Sequence, residues 1–185
     1  VFIPWFILMT LLFIMNQDIF DLLKYQQKIF SSHEYWRILT AHFIHINTSH
    51  FTANMLGFLL FTLINNQTMT TTNIHSHIIL LSCFISLCFT LFNPQIHWYA
   101  GFSGILYGLY TLGFIRQWIV SKNIGFLILL IGLIGKIISD QINHSQNIKF
   151  NSLLEIPVVV DSHFYGMIYG ILIGAFHIAR NFSKE

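Results

Sequence analysis

Six apolar stretches, separated by polar sequence, constrain the fold of this chain more than any other feature. A helix needs about 20 residues to cross the hydrocarbon core of a bilayer, and fewer where the bilayer thins. The stretches run over Val1–Met15, His50–Ile64, Ile78–Phe92, Ser103–Val120, Ile124–Ser139 and Ser162–Ala179. We therefore predict an all-α, polytopic integral membrane protein, folded as a single domain over residues 1–185 into a bundle of six transmembrane helices.

The composition supports a membrane protein and argues against nucleic-acid binding. Charged residues make up 9% of the chain and hydrophobic residues 55%, whereas soluble domains average about 25% charged residues. The formal net charge is only +2 and its charges are scattered, unlike the basic patches that bind nucleic acid. An even number of spans places both termini on one side of the bilayer, and the basic residues near the C-terminus favour the cytoplasmic side. Because the chain opens with apolar sequence and no basic region, we expect no signal peptide.

Three connections between the stretches are long or strongly polar. Residues 16–45 mix polar and apolar side chains, so we expect this segment to lie in the membrane interface. A connection of this length is more often functional than a short turn. A polar linker is predicted over Asn65–Asn73, and a second long loop over Asp140–Asp161.

A serine between two glycines marks the start of the fourth stretch. Gly101 can take backbone angles that are closed to other residues, and Gly104 lets another backbone approach closely. If Ser103 opens a helix, its hydroxyl group lies beside amide groups that have no acceptor within the helix. That arrangement suits a nucleophile next to an anion pocket. Taken alone, a serine between glycines in a membrane helix is more often a residue of helix packing.

The sixth stretch carries a histidine on a face of glycines. His163, Gly166, Gly170 and Gly174 follow spacings of three and four residues, so they share one helical face. Such a face lets a neighbouring helix come close, and packing against the glycines of the fourth stretch would bring His163 towards Ser103. Histidine is the usual base for a serine nucleophile. The alternative is a histidine that caps the sixth helix.

Three further side chains fit the same chemistry. Tyr107 lies one turn after Ser103 and could stack on the imidazole ring of His163. His50 and Asn54 are four residues apart at the start of the second stretch, so they share a face, and both can donate hydrogen bonds. Aimed at the serine, they would form an oxyanion hole with its amide group. The alternative is that both residues cap the second helix and that the tyrosine is ordinary aromatic packing.

Together these residues resemble the rhomboid family of intramembrane serine proteases. The matching positions, in the family's order, are Trp36-Arg37, His45, His50, Asn54, Gly101-x-Ser103-Gly104, Tyr107 and His163-x-x-Gly166. The resemblance implies a serine–histidine dyad without a carboxylate, with Ser103 as the nucleophile and His163 as the base. It implies that the oxyanion is bound by His50, Asn54 and the serine amide group. Supporting positions would be Gly101, Gly104, Tyr107 and Gly166.

The C-terminal third is similar to the rhombosortase branch of that family. The similarity lies in Gly135-Lys136, in Asp140-Gln141 and in residues 156–163. Rhombosortases are small bacterial rhomboids to which the processing of proteins with a C-terminal Gly-Gly motif, an apolar helix and a basic end is attributed. This similarity implies an enzyme of the bacterial inner membrane whose partners are client proteins with a transmembrane segment. We expect Lys136 to form a structural ion pair with Asp140, four residues later.

Other functions predict different features. A catalytically inactive rhomboid-like protein that binds client membrane helices would not need polar groups at membrane depth, where they are costly. His42 and His45 have a spacing typical of metal ligands, but no carboxylate completes an H-E-x-x-H pattern. Cys83 and Cys88 lie five residues apart, so on one helix they cannot pair, and they are predicted to be packing thiols. We therefore expect a serine-type endopeptidase with no metal and no organic cofactor.

Overall fold

The computed structural model describes residues 2–65, 71–145 and 159–182. It is a helical bundle with one very short antiparallel sheet. The elements in chain order are α1 (Ile3–Ile14), α2 (Asn16–Leu23), β1 (Tyr25–Gln26), α3 (Ile29–Ser32), α4 (Arg37–Thr40), α5 (Thr48–Asn65), α6 (Thr71–Phe92), β2 (Trp98–Tyr99), α7 (Ser103–Ser121), α8 (Gly125–Ser145) and α9 (Val160–Phe182).

Each of the six predicted stretches coincides with one helix, and two helix ends lie more than three residues from the prediction. Helix α6 begins at Thr71, inside the predicted polar linker, and α8 continues to Ser145, inside the predicted second loop. The physical reason is that apolar sequence marks where a helix meets an apolar environment, whereas helical hydrogen bonding continues through the polar residues beyond it. Residues 146–158 of that loop, with Pro157, lie outside the described residues.

Among the residues that the structure describes, three helices are long and apolar enough to cross a membrane. Their apolar spans are Ile74–Phe92, Gly125–Asn143 and Val160–Ala179. Helix α1 is apolar but has only 12 residues. The polar residues His50 and Asn54 of the predicted site lower the mean hydropathy of α5, whereas Arg116 and Gln117 lower that of α7. Helix α7 is also enclosed by other helices. The prediction of an integral membrane protein is therefore supported, whereas the number of six spans is not confirmed.

Helix α7 lies at the centre of the bundle, with α5, α6, α8 and α9 packed against it. Its glycines make the contact with α9 unusually close. The backbone of Gly166 lies directly against the carbonyl oxygen of Gly104, and a Cβ atom at Gly170 would lie 2.7 Å from the carbonyl oxygen of Gly108. Because no side chain fits between these faces, the two helix backbones fix each other's position.

Aromatic rings pack behind the start of α7. Phe102, the residue before the helix, is fully buried. Its ring lies 5.9 Å from that of Phe43 and 5.2 Å from that of Phe58 in α5, between ring centroids. Phe2 joins the same cluster through an edge contact with Phe58 at 5.9 Å. This cluster connects α1, α5 and the start of α7.

The segment between α1 and α5 is folded around one buried guanidinium group. Arg37 is 4% exposed and donates to the carbonyl oxygens of Asp21 at 2.7 Å and Lys24 at 2.8 Å, and to the carboxylate of Glu34 at 2.9 Å. The indole group of Trp36 donates to the carbonyl oxygen of Leu22 at 3.1 Å. The segment is therefore compactly ordered around this arginine.

The two-stranded sheet joins that segment to the start of α7. Strands β1 and β2 are antiparallel, with Tyr25 opposite Tyr99 and Gln26 opposite Trp98. Strand β2 ends only four residues before Ser103. The position of the serine is thus tied to the segment that Arg37 organises.

Candidate active site

A glycine turn delivers the chain into α7. Gly101 has a φ of +133°, and its N–H donates to the carbonyl oxygen of Ala41 at 2.9 Å. The hydroxyl group of Tyr99 donates to the Gly101 carbonyl oxygen at 2.5 Å. A Cβ atom at position 101 would lie 2.5 Å from Cε1 of His50. Both the backbone angle and the contact therefore require glycine here.

The structure brings Ser103 and His163 into hydrogen-bond contact. Nε2 of His163 lies 2.9 Å from Oγ of Ser103, across 60 residues of sequence. His163 is 6% exposed and sits on the first turn of α9. The contact results from the close packing of α7 and α9, because Ser103 and His163 each lie next to the glycines of that interface. A neutral imidazole at this distance can accept the hydroxyl proton.

An aromatic ring supports the imidazole on one face. The rings of Tyr107 and His163 are stacked, with centroids 4.1 Å apart and planes inclined by 22°. Within the described residues, Nδ1 of His163 is buried and has no hydrogen-bond partner. The orientation of the ring therefore depends on the serine, on the tyrosine and on packing, with no carboxylate bonded to Nδ1.

His50 and Asn54 occupy one face of α5 beside the glycine turn. Asn54 is 3% exposed and His50 9% exposed. The side chain of Asn47 accepts a hydrogen bond from the His50 amide group at 2.8 Å, which caps the first turn of α5. The imidazole of His50 contacts Gly101, two residues before the serine. His50 therefore lies where the chain enters α7, and Asn54 lies on the same face of α5 one turn further along.

One donor on that face, Nδ2 of Asn54, has no partner in the described part of the chain, and the ring nitrogen Nδ1 of His50 also lacks one. Leaving a buried donor unsatisfied costs about 1–3 kcal/mol, so each such group requires an explanation. Donors kept free in a buried site can bind an oxygen that gains negative charge during a reaction.

A second histidine packs on His50. The rings of His45 and His50 meet edge to face with centroids 5.2 Å apart. Burial lowers the pKa of His45 to about 3, with a smaller contribution from His50, so the ring of His45 is neutral at physiological pH. His42 is engaged elsewhere, because its Nε2 lies 3.0 Å from the hydroxyl oxygen of Ser86.

Sequence reasoning missed a polar cluster two residues before His163. Asp161 accepts hydrogen bonds from the side chains of Asn93 at 3.1 Å and Gln141 at 3.2 Å, and Tyr165 donates to the side-chain oxygen of Asn93. The cluster joins the ends of α6, α8 and α9. Asn93, Gln141 and Asp161 are far apart in sequence, so no local sequence pattern indicates this cluster.

The cap at Asn47, by contrast, could have been predicted from an asparagine before an apolar helical run.

The predicted ion pair in α8 is present. Nζ of Lys136 lies 2.5 Å from Oδ2 of Asp140, one helical turn later. Both cysteines are free, as expected for residues five apart on a helix. Among the residues that the structure describes, no group of three or more His, Cys, Asp or Glu side chains is arranged to hold a metal ion.

Comparison with known proteins identifies the family. The sequence matches the Rhomboid domain over residues 32–180, which is most of the chain and includes the glycine turn, Ser103 and His163. No curated protein matches the chain significantly. The matched region also contains the three apolar helices that are long enough to cross a membrane. The chain therefore belongs to the rhomboid family of intramembrane serine proteases.

Proposed function

We propose that the protein is an intramembrane serine endopeptidase that cleaves a client protein in or next to its transmembrane segment. The observation that carries this proposal is the 2.9 Å contact between Oγ of Ser103 and Nε2 of His163 within a rhomboid domain. A serine becomes a useful nucleophile when an adjacent base takes its proton. His163 is buried and Ser103 is half-buried, so the pair is partly shielded from bulk water.

The reaction proceeds in two steps through an acyl-enzyme. In the first step Oγ of Ser103 attacks the scissile carbonyl carbon while its proton passes to Nε2 of His163. The tetrahedral intermediate then breaks its C–N bond, and the imidazolium returns the proton to the leaving amine. In the second step His163 takes a proton from water, the hydroxide attacks the ester, and Ser103 is released with its proton restored.

The oxyanion is bound by the amide group of Ser103 together with the side chains of His50 and Asn54. The support for this assignment is the unpartnered Nδ2 atom of Asn54 and the contact of His50 with the glycine turn. The amide groups at the start of α7 also lie at the positive end of the helix dipole. Gly101 and Gly104 allow the approach of these elements, Tyr107 orients the base, and Gly166 permits α9 to reach α7.

We extend the proposal to the membrane arrangement and to the client. The six helices α1, α5, α6, α7, α8 and α9 cross the bilayer, in the inner membrane of a bacterium. The client is a protein with a C-terminal Gly-Gly motif, an apolar helix and a basic end, as in rhombosortases. The residues Lys136 and Asp140 support this branch. An amine can replace water in the second step, since an ester intermediate allows hydrolysis and transfer alike.

Labelling with a fluorophosphonate tests the proposal without a known client. The protein is purified in detergent, and we expect one label, on Ser103, that is lost in Ser103→Ala and strongly reduced in His163→Ala. Ser121→Ala is the matched control, because Ser121 donates its hydroxyl to the Gln117 carbonyl oxygen at the far end of the same helix. Equal labelling of Ser103→Ala and the unmodified protein would refute the nucleophile. A protein that takes up no label yet binds a transmembrane peptide would be a catalytically inactive binder.

A further inference from the structure

A carboxylate at the start of α9 is held by side chains from the ends of two other helices. Oδ2 of Asp161 accepts a hydrogen bond from Nδ2 of Asn93 at 3.1 Å, and Oδ1 accepts one from Nε2 of Gln141 at 3.2 Å. Asn93 directly follows α6, and Gln141 lies near the end of α8. None of the three ion pairs in the described part of the chain involves Asp161. Its charge is therefore met by neutral amide donors and by the positive end of the α9 dipole.

The carboxamide group of Asn93 also reaches the next turn of the same helix. Its Oδ1 accepts a hydrogen bond from the hydroxyl group of Tyr165, four residues after Asp161. One planar group thus bridges two successive turns of α9, because it donates to one turn and accepts from the other. The main chain of Asn93 is fixed as well, since its N–H donates to the Phe89 carbonyl oxygen at 3.1 Å and its carbonyl oxygen accepts from the N–H of Ile96 at 2.9 Å. Asn93 therefore limits both sliding and rotation of the start of α9.

These contacts lie on the opposite side of α9 from the proposed base. Asp161 and Tyr165 are two residues before and two residues after His163, which places each of them about 160° around the helix from the imidazole. On the side that faces α7, a Cβ atom at Gly104 would lie 3.0 Å from Cβ of Ser162. The first turn of α9 is therefore held between α7 on one side and the carboxamide of the asparagine on the other.

The imidazole depends on this support because its second nitrogen has none. Nδ1 of His163 is buried without a partner among the described residues. The position of the ring is set by its contact with Ser103, by the stacked ring of Tyr107 and by the backbone that carries it. A misplacement of about 1 Å can cost about a hundredfold in rate. A small shift of the first turn of α9 would therefore lower the rate even in a protein that stays folded.

We propose that Asp161 is a positioning residue for the base, which acts through the backbone of α9 and not through Nδ1 of the imidazole. This inference rests on the proposed function, because that function makes His163 the base. The amide donors of Asn93 and Gln141 hold the carboxylate, and the carboxylate holds the first turn of α9. That turn in turn holds the imidazole against Oγ of Ser103.

A simpler interpretation is that Asp161 only stabilises the helix end, as acidic residues in a first turn commonly do. An exchange of the two side chains separates the interpretations. In the double variant Asp161→Asn, Asn93→Asp, the carboxamide lies at position 161 and the carboxylate at position 93. The carboxamide can still accept from Gln141 and now donates to the carboxylate, which also accepts from Tyr165. The exchange keeps every hydrogen bond of the cluster, whereas the charge leaves the start of the helix.

The kinetics of fluorophosphonate labelling at Ser103 test the exchange. The maximal rate constant kinact and the inhibitor constant KI are measured separately in detergent, below the thermal midpoint of each variant. Asn93→Asp alone brings two carboxyl groups together at a contact of 3.1 Å. We expect it to lower kinact between about tenfold and about a hundredfold and to leave KI unchanged. Adding Asp161→Asn should restore kinact to within about threefold of the unmodified protein, because the two sites are coupled.

Two controls carry the same chemical changes elsewhere in the chain. Asp21→Asn removes a carboxylate whose side chain is 88% exposed. Asn123→Asp adds one before α8, where Oδ1 of Asn123 already accepts from the Gly125 amide group at 2.8 Å. Both should leave kinact unchanged. A purely structural role of the cluster would lower the thermal midpoint and the labelled fraction, but not the kinact of the protein that remains folded.

A third variant keeps the test decisive if a variant at position 93 does not fold. Tyr165→Phe removes only the hydroxyl group that donates to Asn93, and its ring can keep the edge contact with Phe89 at 6.0 Å. We expect it to lower kinact about threefold, the effect of one hydrogen bond. An unchanged kinact in this folded variant would overturn the positioning role.

The failure of this inference differs from the failure of the proposed function. An unmodified protein that is not labelled at Ser103 would refute the protease. Normal labelling with a kinact that Asn93→Asp does not change would leave the protease in place and overturn the positioning role. A double variant that is as stable as the unmodified protein yet keeps the low kinact would also overturn it, because the charge at the helix start would then matter and the hydrogen bonds would not.

Discussion

The backbone of Gly166 lies against the carbonyl oxygen of Gly104 so closely that even a methyl group at position 166 would collide with it. Gly166 lies three positions after His163, and Gly104 directly follows Ser103. Of the described glycines, Gly166 leaves the least room for a Cβ atom, and its contact is also the one that brings the hydroxyl and imidazole groups together. Helix packing and the geometry of the proposed dyad cannot be changed independently here.

We expect Gly166→Ala to destabilise the protein and to lower labelling of Ser103. Forcing an extra methyl group into a closely packed interface costs about 1–3 kcal/mol, and α9 must move away from α7 to accept it. The measurement is the thermal midpoint in detergent together with the labelling rate. Gly132→Ala is the matched control, because nothing lies within 4 Å of a Cβ atom there and alanine favours a helix over glycine. A Gly166→Ala protein with unchanged midpoint and rate would contradict the described interface.

Asn54→Ala should separate activity from stability. If the carboxamide binds the oxyanion, its removal lowers kcat by about a hundredfold to a thousandfold. The same change removes a buried donor that has no partner, so the thermal midpoint should not fall. Asn65 offers the contrast on the same helix, because its carboxamide donates to the Phe61 carbonyl oxygen at 3.1 Å. Asn65→Ala is expected to lower the midpoint and to leave labelling nearly unchanged, and the reverse pattern would rule out the oxyanion role.

Gly101→Ala should be harmful for two separable reasons. A residue with a side chain pays about 1–3 kcal/mol for an unfavourable backbone angle, and φ is +133° here. The methyl group would also lie 2.5 Å from Cε1 of His50. In a His50→Ala background the collision is absent and only the free-energy cost of the backbone angle remains. Gly101→Ala should therefore lower the thermal midpoint less in that background. An equal loss in both backgrounds would mean that His50 does not contact the turn.

We expect the segment between α1 and α5 to contribute less to thermal stability at acidic pH. The hydrogen bond from Arg37, helped by one from Ser32, lowers the pKa of Glu34 below its ordinary value of 4.5. A carboxyl group with a lowered pKa stabilises the fold above that ordinary value, and the contribution is lost as the pH falls through the lowered pKa. Thermal midpoints measured between about pH 6 and pH 3 should therefore fall less in Glu34→Gln than in the unmodified protein. Identical pH profiles would show that the ion pair contributes nothing.

Much of the bundle could be predicted because helical periodicity is strict. Spacings of three and four residues placed His163 and Gly166 on one face, and the structure confirms that this face packs on the glycines of α7. The pairing of Lys136 with Asp140 followed from the same rule. The chemical roles of Ser103 and His163 stay predictions, because a hydrogen bond shows geometry, whereas catalysis has to be measured as a reaction rate.

Other features could not be predicted, for reasons that are equally physical. The fold of residues 16–45 depends on backbone carbonyl oxygens, which every residue has, so no sequence pattern marks them as acceptors for Arg37. The pairing of Tyr25 with Tyr99 involves only two residues on each strand, too few for an alternating pattern. The end of α8 lies in polar sequence, where hydrophobicity gives no signal.

The two carbonyl oxygens bound by Arg37 have a practical consequence for mutational drift and for engineering. A guanidinium that recognises main-chain atoms places no demand of its own on the side chains of Asp21 and Lys24, which pair with each other at 2.5 Å. The Asp21 side chain is 88% exposed. A cysteine placed there would remove its ion pair with Lys24 but would leave the main-chain acceptor for Arg37 in place, and it could carry a spectroscopic probe. Such a probe would report movement of this segment while the buried machinery is left untouched.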